Sequence, residues 1–148
     1  MGSRVIAPLI VAVSVLLGCS NPLTVEDLAG TYSLTRMDAR PLPQLLTATV
    51  DCDEWVQDGE LSLQPSGQFT LAVRGALNCT RVGGQVQVIG WDYPGTYTVS
   101  GTTLRFVAAS FTSTAVQFIG HIDPWQMRVR VSDLALHQSN LVDLEFHR

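Results

Sequence analysis

Apolar and polar residues alternate with a period of two along most of this chain. The clearest stretch is Gly95–Val107, where Tyr97 and Val99 alternate with Thr96 and Thr98, and Leu104 and Phe106 with Thr103 and Arg105. Alternation in β-branched and aromatic residues predicts strands with one buried face. Gly101-Thr102 suits the two central positions of a type II′ turn, with Gly at the positive-φ site. Ser100 then faces Thr103, and Val99 faces Leu104. A shorter echo, Gly30–Thr35, places Tyr32 and Leu34 on one face. Leu61 and Leu63 lead into Pro65-Ser66-Gly67, and Phe69, Leu71 and Val73 lead out, which predicts a second hairpin pairing Leu63 with Phe69 and Leu61 with Leu71.

The remaining elements follow from the same pattern. Thr24–Leu28 reads as a single helical turn capped by Thr24, with acids in its first turn. Arg40-Pro41-Leu42-Pro43 breaks the first strand, and Leu45–Val50 is a second. Asp51–Asp58, which holds Trp55, is polar and predicts a loop. Gln85–Ile89 and Ala115–Ile119 are strands, Trp91-Asp92-Tyr93-Pro94 leads into the Gly95 hairpin, and His121–Trp125 is a connection. Met127, Val129 and Val131 are apolar at odd positions and Leu134 and Leu136 at even ones, a phase slip that predicts a β-bulge at Ser132-Asp133. Leu141–His147 turns Val142, Leu144 and Phe146 inward. Nothing reads as a long amphipathic helix. Eight to ten short strands joined by hairpin-length loops must bury their edges. The expected fold is all-β: a single small antiparallel up-and-down barrel of about eight strands. Its inward set is Tyr32, Leu34, Leu61, Leu63, Phe69, Leu71, Tyr97, Val99, Leu104, Phe106, Leu144 and Phe146. That set is bulky enough to fill much of the lumen.

The first residues differ in kind. Arg4 is followed by the apolar run Val5–Leu17, too short to span a bilayer as a helix and typical of a signal peptide. It ends in Leu16-Leu17-Gly18-Cys19, which resembles the lipobox of bacterial lipoproteins. The resemblance implies cleavage before Cys19 and acylation of that cysteine, and hence attachment to a membrane through lipid chains. The expected layout is a signal peptide over 1–18, a lipidated tether over 19–27 and a barrel domain over 28–148. Ser20, not Asp, follows the cysteine. By resemblance to enterobacterial sorting, this implies the bacterial outer membrane, facing the periplasm.

Charge and cysteine content narrow the picture. The chain from Cys19 onward has 130 of the 148 residues, with eight Arg, no Lys and 13 acidic residues, a formal charge of −5. Acidic character with Arg dispersed along the sequence argues against a nucleic-acid surface. With Cys19 lipidated, Cys52 and Cys79 remain, an even number for an oxidising compartment. Extending the Leu61–Leu71 register outward carries Cys52 to within one step of Cys79, so a disulfide is expected between them.

Three motifs support a more specific resemblance. Leu28-Ala29-Gly30-Thr31-Tyr32-Ser33-Leu34 followed by Arg40-Pro41-Leu42-Pro43 resembles the opening strand and "G-x-PLP" turn of bacterial lipocalin-like lipoproteins. Gly59–Leu71 is similar to their "G-x-L-x-L-x-x-D-G-x-F-x-L" hairpin, and Gly95–Leu104 to their "GTYTVSGNTL" hairpin. Arg40 stands where a turn Gly is usual and Ser66 where Asp is usual. The likeness implies a calycin-type, lipocalin-like barrel. The motifs are turn-and-strand grammar, so no functional residue is carried over from the family.

Candidate chemistry is sparse. His121 with Asp123, and Asp143, Glu145 and His147 on one strand face, have metal-ligand types, but the latter three form the outer side of a strand whose inner side is core. No metal or other cofactor is therefore expected. No Gly-x-Ser-x-Gly elbow, His-Glu-x-x-His helix or phosphate-binding glycine loop occurs, so no catalytic residue is assigned and no enzymatic role is expected. Trp55, Trp91, Tyr93 and Trp125 fall in or beside predicted loops, where aromatic residues anchor ligands or partners, or plug barrel ends. The sequence thus points to a membrane-anchored, non-catalytic lipoprotein that binds a small hydrophobic ligand. The alternative is an envelope protein–protein interaction or inhibitor-type barrel with a filled lumen.

Overall fold

Each predicted hairpin closes on the next until the sheet meets its own first strand. The structure is a computed structural model that describes residues 22–109, 116–123, 126–132 and 141–148. A helical turn, α1 (Val25–Leu28), precedes ten strands: β1 (Gly30–Met37), β2 (Arg40–Pro41), β3 (Gln44–Ala48), β4 (Asp53–Leu63), β5 (Gln68–Asn78), β6 (Val86–Ser100), β7 (Thr103–Ala108), β8 (Val116–Asp123), β9 (Gln126–Ser132) and β10 (Leu141–His147). A 3-10 turn, Thr80–Val82, separates β5 from β6. The order runs β2-β1-β10-β9-β8-β7-β6-β5-β4-β3, and β4 pairs back onto β1. The result is a closed antiparallel barrel of eight strands, with β2 and β3 as extra strands on its rim.

Both predicted hairpins have the expected register. Ser100 faces Thr103 and Val99 faces Leu104, and Gly101 takes φ +60°, a conformation that costs an L side chain but not glycine. Leu63 faces Phe69 and Leu61 faces Leu71. A register shift between Val56 and Asp58 then moves the pairing by one, so Asp53 faces Asn78 and Cys52 and Cys79 flank the end of the ladder. They form a disulfide with Cα atoms 4.1 Å apart.

Several predicted loops are strand. Trp55 lies inside β4, which begins at Asp53. Trp91 and Tyr93 lie within one continuous fifteen-residue strand, β6. His121 to Asp123 complete β8. The polar and glycine-containing runs that read as loops are ladder residues of strands that extend past the barrel rim. There one face stays wet, and the apolar alternation fades. The proposed bulge at Ser132-Asp133, with Leu134 and Leu136, falls outside the described residues from 133 onward.

The barrel has two distinct ends. At one, α1 packs beside the β4–β5 and β6–β7 turns and the start of β9. At the other, β3–β6 run beyond the ring and carry the disulfide. The interior is occupied by the alternating set. Phe69, Phe106 and Phe118 have ring centroids 4.9–5.5 Å apart, and Tyr97 stacks on Phe106 at 6.0 Å. Leu61, Leu71, Leu104, Met127, Leu144 and Phe146 are fully buried around them, and such apolar side chains contribute about 1.5–3 kcal/mol each on burial. Of the predicted inward residues, only Val99 is partly exposed.

Candidate functional site

The α1 end is tied down by its own cap and by long-range hydrogen bonds from Tyr97 and Arg148. Thr24 and Asp27 cap α1 reciprocally: the Asp27 N–H donates to Thr24 Oγ1 at 3.3 Å, and the Thr24 N–H donates to Asp27 Oδ2 at 2.9 Å. Bonds from the Thr24 hydroxyl and backbone hold the Asp27 carboxyl below its usual range. The Tyr32 hydroxyl donates to the Leu28 carbonyl at 2.8 Å. The Tyr97 hydroxyl reaches the carbonyls of Val25 at 3.1 Å and Gln64 at 3.0 Å, tying the helical turn to the β4–β5 turn. Arg148 donates to the Ala29 carbonyl at 2.8 Å and sits over the Tyr32 ring, 5.8 Å from its centroid. Burial raises the pKa of both tyrosines. Val25 and Leu28 pack on the core.

Beside α1 this end opens into a cavity of about 550 Å³. Its lining combines the apolar Leu23, Leu28, Tyr32 and Ile122 with the polar Asp27, Thr102, Asp123, Gln126, His147 and Arg148. The volume lies within the range of small-molecule sites, about 300–1,000 Å³. Ile122 belongs to the same face as Phe118 and Gly120, all even positions of β8. The sequence carried that signal, but Asp123-Pro124 drew the boundary too early.

The four aromatic candidates do not form one site. Trp91 and Tyr93 are half-buried, on the inner face of β6 near the far end, and pack against the core. The Tyr93 hydroxyl is buried with no hydrogen-bond partner among the described residues, and burial, with Asp92 beside it, pushes its pKa up to about 12. Trp55 faces the opposite way, on the outer side of β4 in register with Ala76 and Leu45. Trp125 and Cys19 lie outside the described residues.

The histidine and carboxylate set is engaged elsewhere. Two registers cross the outer face of the β1–β10–β9–β8–β7 wall: Arg36, Glu145, Arg128 and His121 in one, and Asp143, Arg130, Ile119 and Arg105 in the other. Arg130 grips both Asp143 oxygens at 2.7 and 3.0 Å and holds that carboxyl below its usual range. Glu145 lies 3.4 Å from His147 and 4.0 Å from Arg128. Among the described residues no three His, Cys, Asp or Glu side chains converge as a metal site. Four arginines that are dispersed in sequence, Arg36, Arg105, Arg128 and Arg130, are therefore gathered on one wall by strand pairing. No protein-family model and no curated protein sequence matches this chain.

Proposed function

We propose that this protein is a lipid-anchored, non-catalytic barrel that binds a small amphiphile in the cavity beside α1. The observation that carries the reading is that cavity: about 550 Å³, lined by the apolar Leu23, Leu28, Tyr32 and Ile122 together with the charged Asp27, Asp123 and Arg148. An apolar body would displace water from the wall, and a polar head would meet Asp123 or Arg148. The phenylalanine cluster occupies the lumen, so the mouth and not the barrel interior is the place for a ligand. The anchor supports the same reading. From Cys19 to Thr24 is five residues, at most about 18 Å of extended chain. A lipid on Cys19 would hold the α1 end next to the bilayer, where an apolar ligand can exchange with it.

The test is native mass spectrometry of the full chain released from lipid nanodiscs. The wild-type protein should carry one small-molecule adduct, and Ile122→Glu should lose it while Trp91→Ala keeps it. A wild-type chain without an adduct, or an adduct indifferent to Ile122→Glu, would sink the reading. The second reading, an interaction barrel, is favoured by the filled lumen, and co-release of a protein in place of the small molecule would support it.

A further inference from the structure

We infer that the outer wall of β1–β10–β9–β8–β7 is a docking surface for an anionic bilayer, and that it lays the barrel on its side against the lipid headgroups. The wall is built by register. Arg36, Glu145, Arg128 and His121 stand side by side in one row, and Asp143, Arg130, Ile119 and Arg105 in the next. Arg130 is engaged by Asp143 at 2.7 Å, and Arg128 stands 4.0 Å from Glu145. Arg36 and Arg105 are exposed and have no carboxylate partner among the described residues. Four arginines against two carboxylates give the two rows a formal charge of +2 with the histidines neutral. The carboxylates at the ends of the wall have arginines nearby: Asp123 and Arg148 line one cavity, and Asp38 and Arg40 another.

The other side of the ring has the opposite sign. Residues 51–92 supply β4, β5 and the first part of β6. They hold six acidic residues and two arginines, a formal charge of −4. Strand order thus separates charge across the barrel. A molecule with this asymmetry turns its cationic side to an anionic surface and its acidic side away. Each basic residue close to such a surface favours the contact about fivefold.

Two observations favour a bilayer over an acidic protein. First, apolar side chains stand among the arginines. Ile119, 44 % exposed, lies directly between Arg130 and Arg105 in its row, and Val107, 40 % exposed, follows Arg105 on the same face of β7. Arginine interleaved with exposed aliphatic residues suits the bilayer interface, where guanidinium meets phosphate and the apolar group reaches the acyl boundary. Second, the wall adjoins the end that the lipid would hold. A depression lined by His121, Ile122, Asp123, Gln126 and Arg128 shares Ile122, Asp123 and Gln126 with the α1 cavity. With Cys19 acylated the wall is confined close to the headgroups, so the contact is intramolecular and two unpaired arginines suffice to set the orientation. In that respect the inference rests on the proposed anchor, though not on the proposed ligand.

The test is arginine footprinting with phenylglyoxal on the full chain in nanodiscs of phosphatidylcholine, with and without phosphatidylglycerol. Arg36 and Arg105 should react about fivefold more slowly, or slower still, where phosphatidylglycerol is present, and Arg74 on the opposite side should react equally in both. The protection should vanish in about 1 M salt, where the Debye length falls to ~3 Å. Arg105→Gln should weaken the protection at Arg36, whereas Arg74→Gln, which removes the same charge from the other side, should leave it. Equal reaction in the two discs, or protection indifferent to Arg105→Gln, would overturn the inference. Protection that is the same in both lipids and comes with a co-purifying acidic protein would overturn it in favour of a protein partner. A chain that stays with neither disc refutes the anchor instead. The wall is then read by flotation of the same chain with vesicles of the two compositions: binding to those with phosphatidylglycerol alone supports docking, and no difference overturns it.

Discussion

The Tyr97 hydroxyl joins three parts of the chain that are far apart in sequence: β6, the helical turn through Val25 and the β4–β5 turn through Gln64. Its removal takes away the single O–H that these two carbonyls share at the α1 end, and the Gln64 carbonyl keeps only the Gly67 N–H at 3.0 Å. Tyr97→Phe should lower stability by about 1–2 kcal/mol, read as a shift of the urea midpoint with an unchanged slope. Ala39 shows the reverse situation. It joins β1 to β2 in a two-residue turn with Asp38, and both residues take positive φ, 49° for Asp38 and 62° for Ala39. Asp38 is compensated by its exchange of 2.9 Å hydrogen bonds with the Asp143 backbone, but alanine has no such return for its left-handed conformation. Ala39→Gly should therefore raise stability by roughly 0.5–1 kcal/mol after the entropy that glycine adds to the unfolded chain. Chemical denaturation of the variant beside wild type decides it. Arg40 itself lies in β2, and the positive-φ residues are the two before it.

At the scale of elements, the β4–β5 hairpin shows how a turn, a bulge and a covalent link cooperate. The Leu61–Leu71 register alone would leave Cys52 and Cys79 one step out of line. The shift between Val56 and Asp58 removes that step. The bulge also reverses which β4 side chains face inward: Leu61 and Leu63 are inside on one side of it and Val56 on the other. Trp55 thereby ends on the outer face. The disulfide spans a sequence separation of 27, for which loop-closure entropy corresponds to about 3–4 kcal/mol. Cys52→Ala/Cys79→Ala should lose stability of that order. Its loss should fray the extended ends of β4 and β5 before the barrel ring, seen as hydrogen exchange at Leu77 and Asn78 well before Leu71.

For the molecule as a whole, closure sorts charge as well as apolar surface. Arg36, Arg105, Arg128 and Arg130 come from three strands and share one outer wall with Asp143 and Glu145. The pH response follows from the Asp143–Arg130 pair. The hydrogen bonds from Arg130 hold the folded pKa of Asp143 below the usual carboxylate range, so the pair stabilises the fold above the ordinary carboxylate range. That contribution fades as the pH falls through that range towards the lowered folded value. Both side chains are about half exposed, which limits the effect to under ~1 kcal/mol. Asp143→Asn should remove this part of the acid dependence below about pH 4 while leaving neutral-pH stability within ~1 kcal/mol of wild type. Thermal melts across the acid range would measure it.

Local information sufficed for the strands that line the ring. Tyr32, Leu61, Phe69, Tyr97, Phe106 and Phe146 are legible because a strand with one dry face must alternate, and a short turn with glycine at positive φ sets the register of its hairpin. The same local logic brought Cys52 to Cys79 and placed the capped turn at Thr24. Where both faces of a strand are partly wet, alternation weakens, and Trp55, Trp91 and Tyr93 read as loop although they are strand. The wall of the α1 cavity joins Leu23, Leu28, Tyr32 and Ile122 from separate elements. Among the described residues the ladder of β6 with β5 reaches Val86, whereas its ladder with β7 reaches only Gly95. Both are consequences of how strands of unequal length meet around a closed ring. That is a relation between distant segments, and no single segment's pattern contains it.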